Sequence, residues 1–453
     1  MGTVTVIGAS GAHVSVTVDG GAASSLAQAY AAAINGLAAS GTLFVQSLAA
    51  SAAPPSVPGG EAGEGAITVS GTYDFPAGYQ FITTNTVAGV IIDAGAVGSS
   101  TMIFAGDAGT TLFGGAGGGL FLGGGGDNVF EGASSNGGNF VIATGDGNDS
   151  IYGNSGNDVI YAGLGTNQIF TGTGDDTVYS SGTDSIIAGA GSNVVILTGS
   201  SSTVFGNSGS VLVVDQGIKD MFAGGTGSTV LYDGTAGSSF LSGPSTVVGG
   251  TNDTITASGN SVIFGGDGTV VNEVGSGTLT FVASHGLNST VTDATAAAVF
   301  GASSSSVVFS SGSGVSYLIA GAGNETLDGS GASGSLILYG NAVATELSGG
   351  TAADSLVSGT GTTMMTGGTG AANLFVFAAG DDGNSIISDF GSAAGNLIAL
   401  YGYGPSAVQA ALANATDTAS GSFITLADKT TITFTGLNAD YLKAHGNQFF
   451  STT

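Results

Sequence analysis

The chain has 453 residues, 85 of them glycine, and only 8% of its residues are charged. Three basic residues, Lys219, Lys429 and Lys443, stand against 31 acidic ones, so the formal net charge is −28. This charge excludes nucleic acid and anionic membrane surfaces as partners, and no apolar run approaches the roughly 20 residues of a membrane-spanning helix, so we expect no membrane insertion.

The first 51 residues predict a short α+β arm. The stretch "TVTVIGASGAHVSVTVD" (3–19) alternates and predicts two strands, whereas "AASSLAQAYAAAINGLAAS" (22–40) places Leu26, Tyr30 and Ile34 on one helical face. Two roles stay open for the arm: it pairs with the edge of a neighbouring copy, or it folds back and caps its own chain. Residues 52–65 contain three of the six prolines and predict a linker.

A nine-residue repeat dominates residues 66–372. It reads "TGDGNDSIY" at 144, "GNSGNDVIY" at 153 and "TGTGDDTVY" at 171, with looser copies before and after. Its eighth position holds Phe121, Phe130, Ile151, Ile160, Ile169 and Val178. Six turn-forming residues followed by a three-residue strand with one inward side chain predict coils that stack at ~4.8 Å. With no cysteine in the chain, repetition, burial or bound ions must stabilise them.

These phrases resemble the nonapeptide G-G-x-G-x-D-x-U-x, in which U is a large apolar residue, of the RTX (repeats-in-toxin, hemolysin-type) family. The resemblance is strongest over 144–179. It implies an all-β fold, a right-handed parallel β-roll or β-solenoid that binds Ca²⁺, between the N-terminal α+β region and a C-terminal capping module. In that family two phrases form one coil, so calcium ligands lie two phrases apart.

Carried over, the resemblance pairs Asp158 with Asp176, Asp149 with Asn167, Asn167 with Asp184, and Asp176 with Asn193. Carbonyl oxygens of turn glycines would complete the sites, and the glycines in question are Gly147, Gly156, Gly165 and Gly174. Calcium accepts such a mixture of oxygen ligands. Because position six holds Asn, Ser or Thr as often as Asp, only part of the solenoid is expected to bind calcium. The alternative is that these Asp residues only form turns.

The C-terminal residues 373–453 resemble the terminal module of type I secretion substrates. The segment "NLFVFAAGDDGNSIISDFGSAAGNLIALYGYG" (373–404) contains the pair Asp389–Phe390, which in that family closes the last coil. The resemblance implies an uncleaved signal read by a type I secretion apparatus, and hence a secreted protein, extracellular or on the cell surface. We include Asp389 among the candidate metal ligands. Residues 405–416, "PSAVQAALANAT", predict a short capping helix.

The residues present do not favour catalysis. The sequence contains no HExxH, no GxSxG and no Cys, and it lacks the Arg that polysaccharide-active β-helix enzymes use. The cluster "DQGIKD", with Asp215, Lys219 and Asp220, predicts an inserted loop with a local ion pair. Most Phe and Tyr occupy positions expected to face or flank the core, so no sugar-stacking surface is expected.

We therefore predict a non-catalytic structural protein that associates with itself into an extracellular layer, filament or biofilm matrix, with calcium stabilising part of the β-roll. The alternatives are a calcium-dependent adhesin that binds cell-surface or matrix polysaccharide and, third, a β-helix enzyme acting on polysaccharide.

Overall fold

The structure is a computed structural model that describes residues 2–7, 13–18, 20–49, 52–133, 137–285, 288–293, 295–393 and 395–452. The chain is all-β, a parallel β-solenoid of about 19 turns consistent with a right-handed β-roll, which confirms the predicted fold class. It divides into two compact units, Met1–Gly237 and Ser238–Thr453. Among the described residues, no helix combines the length and the apolar character needed to cross a membrane.

Unit 1 begins with the predicted arm. Two antiparallel strands, β1 (Gly2–Ile7) and β2 (His13–Val18), precede helix α1 (Gly20–Ser40), as predicted. The turn between the strands, residues 8–12, lies outside the described residues. Tyr30 and Ile34 of the helix are buried, and Leu26 packs beside them. This apolar stripe is the reason that the helix folds back onto its own unit.

The remaining strands of unit 1 form two parallel sheets. In chain order they are β3 (Leu43–Leu48), β4 (Ala62–Ile67), β5 (Thr72–Asp74), β6 (Tyr79–Thr84), β7 (Val90–Asp93), β8 (Thr101–Phe104), β9 (Thr110–Phe113), β10 (Gly119–Leu122), β11 (Val129–Glu131), β12 (Phe140–Ala143), β13 (Ser150–Tyr152), β14 (Val159–Tyr161), β15 (Gln168–Phe170), β16 (Thr177–Ser180), β17 (Ser185–Ile187), β18 (Ser192–Leu197), β19 (Thr203–Phe205), β20 (Ser210–Asp215), β21 (Met221–Ala223) and β22 (Thr229–Tyr232). Strands β3, β4 and the even-numbered strands from β6 form sheet I, and the odd-numbered strands from β5 form sheet II.

The eighth position of each phrase faces the interior between the sheets. The six residues predicted there, from Phe121 to Val178, are all fully buried. They stack in register, so that Ile142, Ile160 and Val178 are neighbours in sheet I while Phe130, Ile151 and Ile169 are neighbours in sheet II. The core is therefore a pair of apolar ladders between two parallel sheets, which confirms the inward position predicted from the repeat.

The parallel strands start earlier than residue 66. Strand β3 lies within the predicted arm, β4 begins within the predicted linker and runs two residues past it, and the two strands pair in parallel. The sequence of β4, "AGEGAI", resembles a linker because of its glycines. In the structure Gly65 makes room for the ring of Phe75 and Gly63 for Val57, and a Cβ at either position would overlap them. These glycines serve close packing, so a boundary based on glycine content is misplaced.

Unit 2 repeats the two-sheet arrangement. Its strands are β23 (Ser238–Leu241), β24 (Ser245–Val248), β25 (Thr254–Ala257), β26 (Ser261–Phe264), β27 (Val270–Glu273), β28 (Leu279–Val282), β29 (Asn288–Asp293), β30 (Ala297–Phe300), β31 (Ser306–Ser311), β32 (Ser316–Ile319), β33 (Asn324–Asp328), β34 (Leu336–Tyr339), β35 (Ala344–Ser348), β36 (Ser355–Val357), β37 (Thr362–Thr366), β38 (Leu374–Ala378), β39 (Asn384–Ile387), β40 (Leu397–Tyr401), β41 (Thr416–Thr418), β42 (Gly421–Thr425), β43 (Thr431–Thr435) and β44 (Phe450–Thr452). The even-numbered strands from β24 to β40, with β44, form sheet I, and the odd-numbered strands from β23 to β39, with β43, form sheet II.

The last part of unit 2 closes the stack. Parallel pairing continues beyond residue 372 through β38 and β40. Strands β41, β42 and β43 then form an antiparallel meander, and β43 and β44 add parallel strands to β39 and β40. Helix α2 (Ala407–Ala413) lies within the predicted 405–416, and helix α3 (Ala439–His445) follows β43. Phe390 is buried between the rings of Phe375, Phe434 and Phe449. An aromatic cluster therefore seals the core at this end.

Candidate metal centre

Position-six side chains lie in the turns that lead into the strands of unit 1, where they link one coil to the next. In the turns before sheet I, Asp176 Oδ1 accepts a hydrogen bond from the backbone N–H of Asp158 at 2.9 Å. Asp158 Oδ1 in turn accepts from Phe140 N at 2.8 Å, and Asn193 Oδ1 accepts from Asp176 N at 3.1 Å. We call Asp158, Asp176 and Asn193 the sheet I ladder.

A second ladder runs through the turns before sheet II. Its members are Asn128, Asp149, Asn167, Asp184, Ser202 and Asp220, and each from Asp149 onward accepts the backbone N–H of the member before it. The structure therefore makes coil neighbours of all four predicted pairs and keeps Asp149 and Asp158 in different ladders. Whether these pairs bind calcium stays a prediction.

The side-chain amide of an asparagine at position six donates hydrogen bonds to carbonyl oxygens of its own turn. Asn167 Nδ2 donates to the carbonyl oxygens of Ala162 at 3.0 Å and Leu164 at 3.2 Å, and to Asp184 Oδ1 at 2.9 Å. Asn128 Nδ2 likewise donates to Gly126 O at 2.6 Å. The amide group thus brings a partial positive charge to carbonyl oxygens that point into the turn.

Aspartate at the same position leaves one oxygen without a partner. Asp149, Asp158 and Asp176 are at most 1% exposed, and within the described part of the chain the Oδ2 atom of each has no hydrogen-bond donor. Leaving a buried polar atom unsatisfied costs about 1–3 kcal/mol, and more if it is charged. Asp184 differs, because Ser180 Oγ donates to its Oδ2 at 2.6 Å. In the other three turns a proton, a water molecule or a cation would satisfy the second carboxylate oxygen.

The electrostatics agree with the hydrogen bonding. Burial raises the pKa of Asp149 to about 6, against the Thr144 hydroxyl and the hydrogen bonds from Asn128, which favour the charged form. Burial raises the pKa of Asp158 to about 7, against the hydrogen bond from Phe140 N. Burial also raises the pKa of Asp176, and the nearby charge of Asp175 adds to this increase. At neutral pH the carboxyl group of Asp158 is therefore close to half protonated when no metal is bound.

The turn glycines are required by the stacking of coils. A Cβ on Gly174 would overlap the carbonyl oxygen of Gly156, and one on Gly165 would overlap that of Gly147. Gly156, Gly165 and Gly174 also have φ of 119°, 92° and 136°, which other residues rarely adopt. The position-four glycines thus form close-packed columns of backbone, one with Gly156 and Gly174 and one with Gly147 and Gly165, whether or not a metal binds. The role of these four glycines in calcium binding stays a prediction.

The donor set fits calcium. Orphaned carboxylate oxygens beside turn carbonyls are the hard ligands that Ca²⁺ prefers, in the number of six to eight. Among the residues that the structure describes, no place brings together three or more His, Cys, Asp or Glu side chains. An ion on Asp158 or Asp176 would therefore take most of its remaining ligands from backbone carbonyl groups and water.

Asp389 is placed differently from the ladder residues. Its Oδ1 accepts from Gly367 N at 2.8 Å and its Oδ2 from Gly368 N at 2.9 Å. Both oxygens already have donors, so the structure gives this residue a role in fixing the turn before the aromatic cluster. Its assignment as a metal ligand gains no support.

The prediction of an inserted loop at "DQGIKD" is wrong. Asp220 continues the sheet II ladder and accepts the N–H of Ser202 at 2.6 Å, so it occupies position six of a regular phrase. Lys219 is exposed with φ of 61°. Burial and the neighbouring Asp215 raise the pKa of Asp220 to about 7. Counting eighteen residues onward from Ser202, the position-six residue two phrases earlier, finds this position. The interpretation missed it because the phrase has no glycine at positions one and four.

Glu325 in unit 2 was also missed as a site residue. It holds position six of "AGAGNETLD" and accepts the N–H of Gly321 at 2.7 Å through Oε2. Its Oε1 has no donor among the described residues, and burial raises its pKa to about 7. A search for Asp alone overlooks a Glu that reaches the same turn.

Comparison with known proteins identifies the repeat. The RTX calcium-binding nonapeptide repeat (4 copies) matches residues 143–178, 178–210 and 308–336, ranges that contain both ladder acids Asp158 and Asp176 and also Glu325. No curated protein and no solved structure matches the chain. The protein thus contains RTX calcium-binding nonapeptide repeats within its β-solenoid.

Proposed function

We propose that calcium binds the turns of Asp149, Asp158 and Asp176 and so stabilises this part of the β-roll. One observation carries the proposal. At Asn167 the amide nitrogen donates to the turn carbonyls, whereas at Asp149, Asp158 and Asp176 one buried carboxylate oxygen is left without a donor. A divalent cation would provide the positive charge that the amide provides elsewhere.

The chain's own residues contribute three things to this function. Asp158 and Asp176 hold negative charge in adjacent coils, the turn glycines allow carbonyl groups to approach, and the hydrogen bonds through Oδ1 orient the carboxylates. Without calcium, ionised carboxylates oppose stacking of the coils. Binding an ion that the unfolded chain does not bind then adds to folding stability.

We further propose that the protein is exported by a type I apparatus through its C-terminal module and acts outside the cell as a structural, self-associating subunit. The scarcity of calcium inside cells would keep the repeats loose before export. Support comes from the solenoid that occupies most of the described chain and from the similarity of residues 373–404 to terminal secretion modules. A non-catalytic role is part of this proposal.

A calcium-dependent adhesin remains the second candidate because of one structural observation. The prediction that most Phe and Tyr face or flank the core missed an outward group at position nine. Tyr161 and Tyr179 stack on the surface of sheet I with ring centroids 4.7 Å apart, and Tyr152 stacks on Phe170 at 5.0 Å on sheet II. Tyr179 is 37% exposed and the other three rings are half-buried, so the ring of Tyr179 is the one available to the apolar face of a sugar.

A calcium titration of the full chain tests the proposal. Isothermal titration calorimetry and circular dichroism should show calcium uptake coupled to a gain in β-structure or in stability. Asp158→Asn and Asp176→Asn together should reduce the amount of bound calcium to what the turn of Asp149 holds, whereas Asp175→Asn, which removes a charge from the exposed neighbouring position, should not reduce it. Unchanged uptake in the double variant would reject the assignment. Binding to a polysaccharide array, abolished by Tyr179→Ala, would favour the adhesin.

A further inference from the structure

The outer surface of sheet I in unit 2 carries no charge. We call the outward side chains of the eight strands from β24 to β38 of this sheet the apolar face. One of its two columns runs in register through Val248, Phe264, Val282, Phe300, Ile319 and Tyr339. Phe264 is 44% exposed and Tyr317, in the other column, 43%. No Asp, Glu or Lys occurs at any outward position of these strands.

The opposite surface of the same unit exposes apolar side chains too, such as Phe240 and Met364, but it also carries polar and charged ones. Outward residues of sheet II include Thr326 and Thr362 together with the acids Asp328 and Glu346. In a chain with a net charge of −28, one surface of the unit is therefore kept free of charge while the other is not. Apolar patches of several hundred Å² on a soluble protein mark interaction sites.

In unit 1 the corresponding surface of sheet I is covered by an apolar helix. There, helix α1 covers the outer side of sheet I, so that Phe104 and Leu122 are fully buried against Tyr30 and Ile34. In unit 2 the helices α2 and α3 lie against β42 and β44 instead. The aromatic side chains of the apolar face keep their exposure, and a partner from outside the unit is needed to bury them.

We propose that the apolar face binds the same face of a second copy of this chain. Because this chain carries a net charge of −28, a partner surface with negative charge would be repelled. The surface that packs on the apolar face must therefore be apolar and uncharged. An identical face meets this requirement in a two-fold arrangement, since both surfaces are β-sheets that can pack about 10 Å apart. This inference rests on the self-association in the proposed function and names the surface responsible.

The size of the face predicts a reversible contact. Eight strands at ~4.8 Å spacing extend over roughly 40 Å, and two outward columns cover a width of roughly 10–14 Å. Each copy would bury on the order of 500 Å², or about 1,000 Å² in total, which is at the low end for specific interfaces. We therefore expect association that depends on protein concentration.

Single-cysteine variants test the surface, because the natural chain contains no cysteine. Tyr317 lies on β32, one of the two middle strands of the face, close to where a two-fold axis would pass. Met364 on sheet II has nearly the same exposure, 42% against 43%. In full-length protein with calcium, mild oxidation should link Tyr317→Cys into disulfide dimers several-fold more than Met364→Cys. Equal or reversed yields would overturn the proposed surface.

Charge variants give an independent measurement. In sedimentation equilibrium, Phe264→Lys should weaken association more than tenfold, because it places like charges in the contact. Phe240→Lys, at an outward position of sheet II that is 51% exposed, should have little effect. Circular dichroism verifies that both variants fold. If neither variant changes assembly, the surface is wrong while self-association stands. A chain that binds calcium yet stays monomeric, or that binds lipid vesicles instead, overturns both self-association and this surface.

Discussion

Replacing Asp158 by Asn gives the sharpest test of the ladder. In the folded protein without calcium the pKa of Asp158 is about 7 instead of 3.8. Each pKa difference of one corresponds to about 1.4 kcal/mol, so keeping this carboxylate ionised and buried costs up to roughly 4 kcal/mol. Asn keeps the Oδ1 acceptor for Phe140 N and adds an amide that can donate to the turn carbonyls, as Asn167 does.

We expect Asp158→Asn to raise the free energy of unfolding by about 2–4 kcal/mol above neutral pH in chelator, and to reduce the further gain on adding calcium. Urea unfolding followed by circular dichroism measures both quantities. Asp175→Asn is the matched control, since this exposed side chain loses the same charge while its oxygen can still accept Ser192 N. A variant that is no more stable than the natural protein in chelator, or that gains as much from calcium, would refute the reasoning.

Three further expectations concern the same turns. Asn167→Asp should lower stability in chelator by about 2–4 kcal/mol, because it removes the donor to Ala162 O and Leu164 O, and should add a calcium ion measurable by calorimetry. In chelator, the contribution of Asp158 to stability should be fully present below about pH 4 and lost as the pH rises through about 7, since folding raises its pKa. Asp158→Asn should lose less stability than the natural protein over this pH range, while the raised pKa values of Asp149 and Asp220 keep part of the loss. Gly174→Ala should destabilise the folded protein by more than about 2 kcal/mol in thermal melts, because of its φ of 136° and the overlap with Gly156 O. The control is Gly36→Ala in helix α1, where a Cβ meets nothing within 4 Å; it should be neutral or stabilising by up to about 1 kcal/mol.

Much of the fold could be predicted because the repeat is local. A nine-residue period with an apolar eighth position indicates inward ladders, and Ile151 and Ile160 are fully buried as expected. The boundaries were harder to predict. Strand β4 contains glycines that pack against Phe75 and Val57, and glycine in a sequence cannot be divided into flexible and close-packed without knowing its neighbours.

The site could be predicted only in part. The sequence indicates which acids occupy equivalent turns, and Asp158 and Asp176 do lie in adjacent coils. It does not indicate which of them lacks a donor. Asp184 obtains one from Ser180 through an eight-residue unit that shifts the turn, whereas Asp176 does not, and this difference depends on side-chain positions in space.

By itself, then, the sequence determined the turn chemistry, the period, the inward apolar ladders and the great excess of negative charge, because these depend on neighbouring residues in one phrase. Only the tertiary structure decided which phrases share a sheet, since irregular phrases change the count of residues per coil. That allocation places an uncharged outer surface on sheet I of unit 2, and it adds Asp220 to the sheet II ladder, which the predicted pairs did not include. Both features arise from residues about eighteen positions apart, which become neighbours only when coils stack.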